Sequence, residues 1–185
     1  MRTQLFSGLL LMMVSALTAQ PSGLADLINP LMGTDSRFDM SHGNTYPSIS
    51  LPWGMNSWTP MTNKMGDGWT YQYSAQKIRG IKQTHQPSPW INDYAAFSLM
   101  AVTGKLKFQE EERASWFSHK AEVVHPYHYS VYLADYDVTM EMAPTERASH
   151  FQFTFPMADS AFILLDAFNG GSMVRIIPEE RKIIG

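Results

Sequence analysis

The amino-acid sequence predicts an all-β domain with the architecture of an antiparallel β-sandwich. From residue 94 onward, short apolar or alternating runs recur about every ten residues and are bounded by Pro, Gly and Asp. The clearest alternation is at residues 150–155, where Phe151, Phe153 and Phe155 would share one face. No long amphipathic helix pattern and no repeat of solenoid length interrupts these runs.

The first residues have the pattern of a secretory signal peptide. Arg2 precedes an apolar run at residues 5–17, and small and polar residues follow it. We expect cleavage after Ala19, so that residues 1–19 are the signal peptide and residues 20–185 form one exported domain in the periplasm or outside the cell. The run is too short for a comfortable membrane span, and a buried N-terminal helix is the alternative interpretation.

The exported part divides into shaped loops followed by strands. Gly and Pro fix the backbone of the predicted loops, which are residues 42–55, 57–68 and 80–93. The predicted strands are residues 69–73, 96–102, 123–124, 127–133, 138–142, 150–155, 161–165 and 173–177. Residues 110–113 are predicted to be a solvated loop tip. Residues 183–185 look like the entry to another strand, so we expect the sequence to be a piece of a longer protein.

Composition and missing motifs exclude several classes of function. Acidic residues outnumber basic ones, 17 to 14, so the charge does not favour nucleic acid or an anionic membrane. Without Cys, stability must come from packing. There is no Gly-x-Ser-x-Gly elbow and no phosphate-binding Gly loop. No metal site is predicted, because Asp35 and Asp39 lack the other residues of a calcium loop, and because His125 and His128 would not share a strand face.

Aromatic residues beside hydrogen-bonding groups in or next to the loops indicate carbohydrate binding; they are Trp53, Trp58, Trp69, Tyr71 and Trp90. An indole ring suits the apolar face of a sugar, and Asp, Asn, His and Gln suit its hydroxyl groups. For most of these aromatic residues, a loop anchor packed on the core is the competing interpretation. Trp90 is the strongest candidate for ligand contact, because Pro87 and Pro89 stiffen the chain before it and Asn92 and Asp93 follow it.

With these residues in view, the chain resembles the N-terminal part of glycoside hydrolase family 92, the exo-acting α-mannosidases. The resemblance is an ordered series of short motifs that covers nearly everything after the signal peptide. The motifs are residues 29–34 (NPLMGT), 43–47 (GNTYP), 51–55 (LPWGM), 80–94, 117–119 (FSH), 129–133 (YSVYL) and 153–156 (FTFP). Departures such as Ser48, Lys82, Gln83 and Ala95 leave the linkage preference open.

The resemblance implies a two-domain enzyme that hydrolyses terminal α-mannose with inversion, depends on calcium and acts on glycans such as N-glycans. The N-terminal domain would be the β-sandwich, and a larger (α/α)₆ barrel after it would supply the catalytic carboxylates and most calcium ligands. We therefore predict no catalytic residue and no metal ligand in this chain, and we expect the chain alone to be inactive. Its expected partners are mannose-containing glycans and the C-terminal helical domain.

By motif position, six residues of the chain are predicted to contact substrate. The first rank is His85, Trp90 and Asp93, and the second is Asp67, Trp69 and Asn44. Packing against the second domain is the competing interpretation for all of them. Two other functions remain open on the sequence: a free-standing carbohydrate-binding module without catalysis, and a structural brace between domains.

Overall fold

The computed structural model describes residues 23–35, 45–65, 70–84, 97–167 and 171–185. Within these ranges the predicted all-β antiparallel architecture is confirmed. In chain order the strands are β1 (Ser57–Met61), β2 (Lys77–Ile78), β3 (Gly80–Thr84), β4 (Phe97–Thr103), β5 (Ser115–Trp116), β6 (Glu122–His125), β7 (His128–Leu133), β8 (Val138–Pro144), β9 (Ser149–Thr154), β10 (Ala161–Ala167), β11 (Arg175–Ile177) and β12 (Lys182–Ile184). The helical elements are α1 (Glu110–Arg113) and the 3₁₀ turns Leu24–Leu27, His119–Ala121 and Pro178–Glu180. In the described ranges no helix is long and apolar enough to cross a membrane.

Two four-stranded antiparallel sheets form the body of the sandwich. The first has the order β1-β3-β4-β10 and the second the order β6-β7-β8-β9. The ring of Trp58 on β1 lies 5.6 Å from Phe97 in its own sheet and 5.0 Å from Phe151 on β9, both edge to face. The two sheets therefore pack face to face around one apolar core. That core includes Ile49, Ile81, Met100, Ala101, Tyr129, Val131, Leu133, Val138, Met140 and Met142.

The second sheet follows the alternation that the sequence predicts. On β7 the buried positions are Tyr129, Val131 and Leu133, and the positions between them are more exposed. Met140 and Met142 of β8 are buried in the same way. The aromatic face of β9 is also confirmed, because its Phe residues pack on the core while the polar residues between them are exposed.

The first sheet contains two strands where the sequence analysis predicted loops. The loop prediction is wrong for β1 and β3, which are strands. The sequence did not reveal them because they bury polar side chains and therefore show no apolar alternation. Thr59, Lys82 and Thr84 are each 0% exposed. Pro60 fits into β1 because this strand lies at the edge of its sheet, where a missing N–H is tolerated.

Three further local predictions are corrected. The described residues 70–73 form no strand, and they are held instead by loop hydrogen bonds. The charged run at α1 is not a solvated loop tip, because the side chain of Arg113 is only 2% exposed. His125 and His128 do share a face, because the two-residue turn between β6 and β7 pairs them directly. The predicted C-terminal strand is present as β12, which pairs with β11.

Candidate functional site

The six residues that the sequence analysis assigns to substrate binding lie outside the described residues. They are Asn44, Asp67, Trp69, His85, Trp90 and Asp93. The residues at both ends of their segments are described, however. The structure therefore shows from which positions on the sandwich these segments depart.

Backbone hydrogen bonds join the ends of the first two segments. The N–H of Thr45 donates to the carbonyl oxygen of Gly33 over 3.3 Å, which closes the segment that contains Asn44. The N–H of Tyr73, just after the segment 66–69, donates to the carbonyl oxygen of Thr34 over 3.0 Å. The two segments are therefore attached next to each other.

A side-chain contact brings the third segment to the same place. The hydroxyl groups of Tyr46 and Thr84 lie 2.6 Å apart and are buried. Thr84 directly precedes His85, and Tyr46 follows Asn44 by two positions. Thr84 and Tyr46, the described residues beside these two segments, are thus in direct contact.

A polar cleft adjoins the remaining ends of these segments. Phe97, which follows the third segment, pairs in register with Ala167 at the end of β10. Ala167 and Met65, which precedes the segment 66–69, both line a cleft of about 400 Å³. The other lining residues are Lys64, Phe108, Gln109, Glu110, Glu111 and Asp166. The described residues that flank the segments with the predicted substrate-binding residues therefore lie at connected positions.

The acidic side chains in the cleft are engaged with donors from the same domain. Both carboxylate oxygens of Glu110 accept the N–H of Met65, at 3.0 and 3.2 Å. Asp166 forms an ion pair with the buried Arg113. Among the residues that the structure describes, no group of three or more His, Asp or Glu side chains is placed to hold a metal ion. The described residues therefore do not fit a calcium site of their own.

A buried carboxylate fixes the chain just after the segment 66–69. The side chain of Glu122 on β6 is 1% exposed, and His119 Nδ1 lies 2.6 Å from it. The hydroxyl of Tyr129 donates to it over 2.7 Å, and that of Tyr71 over 3.3 Å. The other ring nitrogen of His119 lies 2.7 Å from the carbonyl oxygen of Tyr73. This Glu122 cluster links residues 71–73 to the second sheet, and no sequence pattern singled out Glu122 itself.

The cluster changes the acidity of its tyrosine residues. Burial, together with the nearby Glu122 carboxylate, raises the pKa of Tyr71. The same causes raise the pKa of Tyr129 well above its ordinary value. Both hydroxyl groups therefore stay protonated in the folded protein at a pH where they would ionise in the unfolded chain.

Replacing Tyr71 by Phe is expected to flatten the loss of stability at alkaline pH. A folded-state pKa above the unfolded value gives stability that is complete below about pH 10 and is lost as the pH rises further. Removing the hydroxyl should reduce that slope by about 1.4 kcal/mol per pH unit above pH 10. Urea unfolding at a series of pH values measures it. Tyr132→Phe, at a hydroxyl bonded to Asp137 on the surface, is the control and should change the slope less.

Comparison with known proteins identifies the family. The model of the glycosyl hydrolase family 92 N-terminal domain matches residues 27–185. The chain belongs to glycoside hydrolase family 92. The sequence-based resemblance is thereby confirmed over almost all of the described part of the chain.

Solved family 92 structures share both the fold and much of the sequence. An inverting mannosidase of this family from Bacteroides thetaiotaomicron is 47% identical with a TM-score of 0.81, and the match covers 86% of this chain and 21% of that one. An α-mannosidase from the same organism, solved with mannoimidazole, is 33% identical with a TM-score of 0.69 and covers 77% of this chain and 19% of that one. No curated protein matches the chain. The chain therefore spans about a fifth of the length of these family 92 mannosidases.

Proposed function

We propose that this chain is the N-terminal domain of a secreted, calcium-dependent, inverting exo-α-mannosidase. Its substrates would be glycans with terminal α-mannose, such as N-glycans. The observation that supports this best is the 47% identity to an inverting mannosidase over 86% of the chain. Because the match covers only 21% of that enzyme, the proposal assigns the catalytic carboxylates and the calcium ligands to polypeptide outside this domain.

Within that enzyme, the domain would form one wall of the substrate pocket. The support is geometric: described residues near the ends of the segments with all six predicted residues are joined by hydrogen bonds, by strand pairing or by the polar cleft. A wall made of several loops needs such a common base, since a sugar must meet its ring contact and its hydrogen-bonding groups together. The sandwich would provide rigidity, and the loops would provide recognition.

The test of the activity uses the complete polypeptide to which this domain belongs. We expect it to hydrolyse an aryl α-mannoside with inversion, as followed by NMR of the released anomer, and to lose that activity in EDTA and regain it with Ca²⁺. The 185-residue chain alone should be inactive. Hydrolysis by the purified 185-residue chain would contradict the assignment of the catalytic carboxylates to polypeptide outside this domain. Inactivity of the complete polypeptide on α-mannosides would contradict the proposed mannosidase function.

The pocket wall has its own test in the variant Trp90→Ala of the complete polypeptide. Loss of a stacked indole should weaken the binding of mannoimidazole, a ligand of a related α-mannosidase with no glycosidic bond to hydrolyse, by about 1–3 kcal/mol, measured by calorimetry. Trp116→Ala is the matched control. That indole is 47% exposed on β5, and its ring face is in contact with the Nζ of Lys77. Equal affinities of the Trp90 variant and the parent would favour a structural brace. Unchanged binding by the 185-residue chain alone, with no catalytic polypeptide encoded beyond it, would favour a carbohydrate-binding module.

A further inference from the structure

Trp53 has an unusual backbone conformation and an unusual exposure. Its φ is +62°, in the left-handed region that non-Gly residues rarely adopt. It follows Pro52 in a turn that is closed by a 2.9 Å hydrogen bond from the N–H of Gly54 to the carbonyl oxygen of Leu51. The third position of such a turn normally holds Gly. The indole of Trp53 is nevertheless 100% exposed.

The turn is firmly attached to the sandwich on both sides. Before it, the N–H of Ser50 donates to the carbonyl oxygen of Pro126 over 2.8 Å. After it, the N–H of Met55 donates to the carbonyl oxygen of Glu146 over 2.7 Å. These acceptors lie in the β6–β7 turn and the β8–β9 turn, which are at the same end of the second sheet. Trp53 is therefore presented on a fixed loop.

Other exposed apolar side chains belong to elements attached to the same end. Met55 is 72% exposed, and Leu24 and Leu27 of the first 3₁₀ turn are 85% and 75% exposed. That 3₁₀ turn is fastened to the β6–β7 turn by a hydrogen bond from the hydroxyl of Tyr127 to Asp26. We call these residues, with Trp53, the Trp53 surface. Several large apolar side chains grouped in this way are typical of an interaction site.

Within this domain alone, the left-handed backbone and the exposed side chain of Trp53 do not stabilise the fold. A left-handed non-Gly residue costs about 1–2 kcal/mol, and an exposed indole leaves about 150–250 Å² of mostly apolar area in water. Strain and exposure at one fixed position are explained if the side chain is buried by something that binds there. The neighbours of Trp53 in the turn are Leu51, Pro52 and Gly54, and the N–H groups of Gly54 and of Met55 after the turn already donate to carbonyl oxygens. An apolar protein surface fits such surroundings better than a sugar, whose hydroxyl groups need polar partners.

We propose that the Trp53 surface is buried against the polypeptide that accompanies this domain in the complete enzyme, with Trp53 in an apolar recess. This rests on the proposed function, under which the chain is one part of a longer protein. We choose this occupant because of the length of the related enzymes. The chain matches only 21% and 19% of the two mannosidases, so most of each enzyme is polypeptide beyond the matched part. The loop then serves as a preformed plug between domains.

Hydroxyl-radical footprinting of the complete polypeptide tests the proposal. The oxidation rate of each Trp is measured by mass spectrometry and normalised to its rate in urea. On exposure within this domain alone, Trp53 at 100% would react faster than Trp116 at 47%, and Trp58 at 5% slowest. We expect the complete polypeptide to invert the first pair, with Trp53 protected several-fold and reacting more slowly than Trp116.

Each other outcome overturns the proposal in a recognisable way. A Trp53 that reacts as fast as in urea has no occupant. Protection that appears only with added mannobiose identifies a sugar platform, and protection that grows with protein concentration identifies a second copy. Because no activity is measured, protection in a polypeptide without mannosidase activity would keep this inference and refute the proposed function.

The variant Trp53→Gly changes the Tm of the complete polypeptide differently if Trp53 is buried in a recess than if it stays exposed. Gly relieves the left-handed backbone, so within the domain alone the change should leave stability equal or raise it. If Trp53 fills a recess, the same change lowers the Tm of the complete polypeptide. A Tm that stays constant or rises would overturn the proposal.

Discussion

Replacing Asp166 by Asn is expected to lower the free energy of unfolding by about 3 kcal/mol and the Tm by about 10 °C. The reason is the partner that the change leaves behind. The side chain of Arg113 is 2% exposed, and Asp166 is its carboxylate partner. Removing the carboxylate, whose own side chain is 27% exposed, leaves the buried guanidinium as an uncompensated charge in a medium that solvates it poorly. Thermal and urea unfolding of the two proteins measure the difference.

Asp166→Asn has a matched control and a second substitution that should compensate for it. Asp159→Asn changes an exposed carboxylate in the loop before β10 and should alter stability by less than about 0.5 kcal/mol. Adding Arg113→Met to Asp166→Asn should recover most of the loss, because the stranded charge is then gone. A double variant as unstable as the sum of its single variants would show that packing rather than charge makes this site important. Asp166 also lines the polar cleft, so this ion pair supports the candidate site.

The strands that the sequence predicted well are those whose burial alternates with residue polarity. On β7 and β9 every second side chain is apolar and faces the core, so the pattern alone is sufficient. On β3 the pattern fails, because Lys82 and Thr84 are polar and yet buried. Their burial depends on neighbours elsewhere in the chain, such as Tyr46, which is 38 residues from the Thr84 that it contacts. A local pattern contains no information about such a partner.

For the candidate site, the ordered motifs predict that the segments with Asn44, His85 and Trp90 contact substrate, and this stays a prediction because these residues lie outside the described part of the chain. What connects these segments was not predictable, because the register of Phe97 with Ala167 and the shared cleft arise only from sheet pairing. Glu122 was missed for a related reason. A single acidic residue before an apolar run resembles an ordinary strand start, and only the fold surrounds it with two tyrosine hydroxyl donors and the ring of His119.

Replacing Glu122 by Ala is expected to lower the free energy of unfolding by about 3–5 kcal/mol, measured by urea unfolding. The change removes the acceptor of two buried tyrosine hydroxyl groups and leaves a cavity in a position that is 1% exposed. Glu122→Gln keeps the volume and one acceptor oxygen, so its loss should be smaller, about 1–2 kcal/mol. The matched control is Glu141→Ala, whose carboxylate is 35% exposed and lies 3.6 Å from His128. That pair should contribute less than about 1 kcal/mol.

Hydrogen exchange in the Glu122→Ala variant shows whether Glu122 stabilises the whole second sheet or mainly residues 70–73. The cluster joins Tyr71 and, through His119, Tyr73 to the second sheet, so its loss should release residues 70–73 first. Hydrogen exchange should therefore speed up at the amide of Tyr73, which donates to Thr34, before it does so in β7 and β8. Uniform acceleration over the second sheet would instead assign Glu122 to the core alone. With the expected order, Glu122 determines how firmly residues 70–73, which follow the segment with Asp67 and Trp69, are attached to the second sheet.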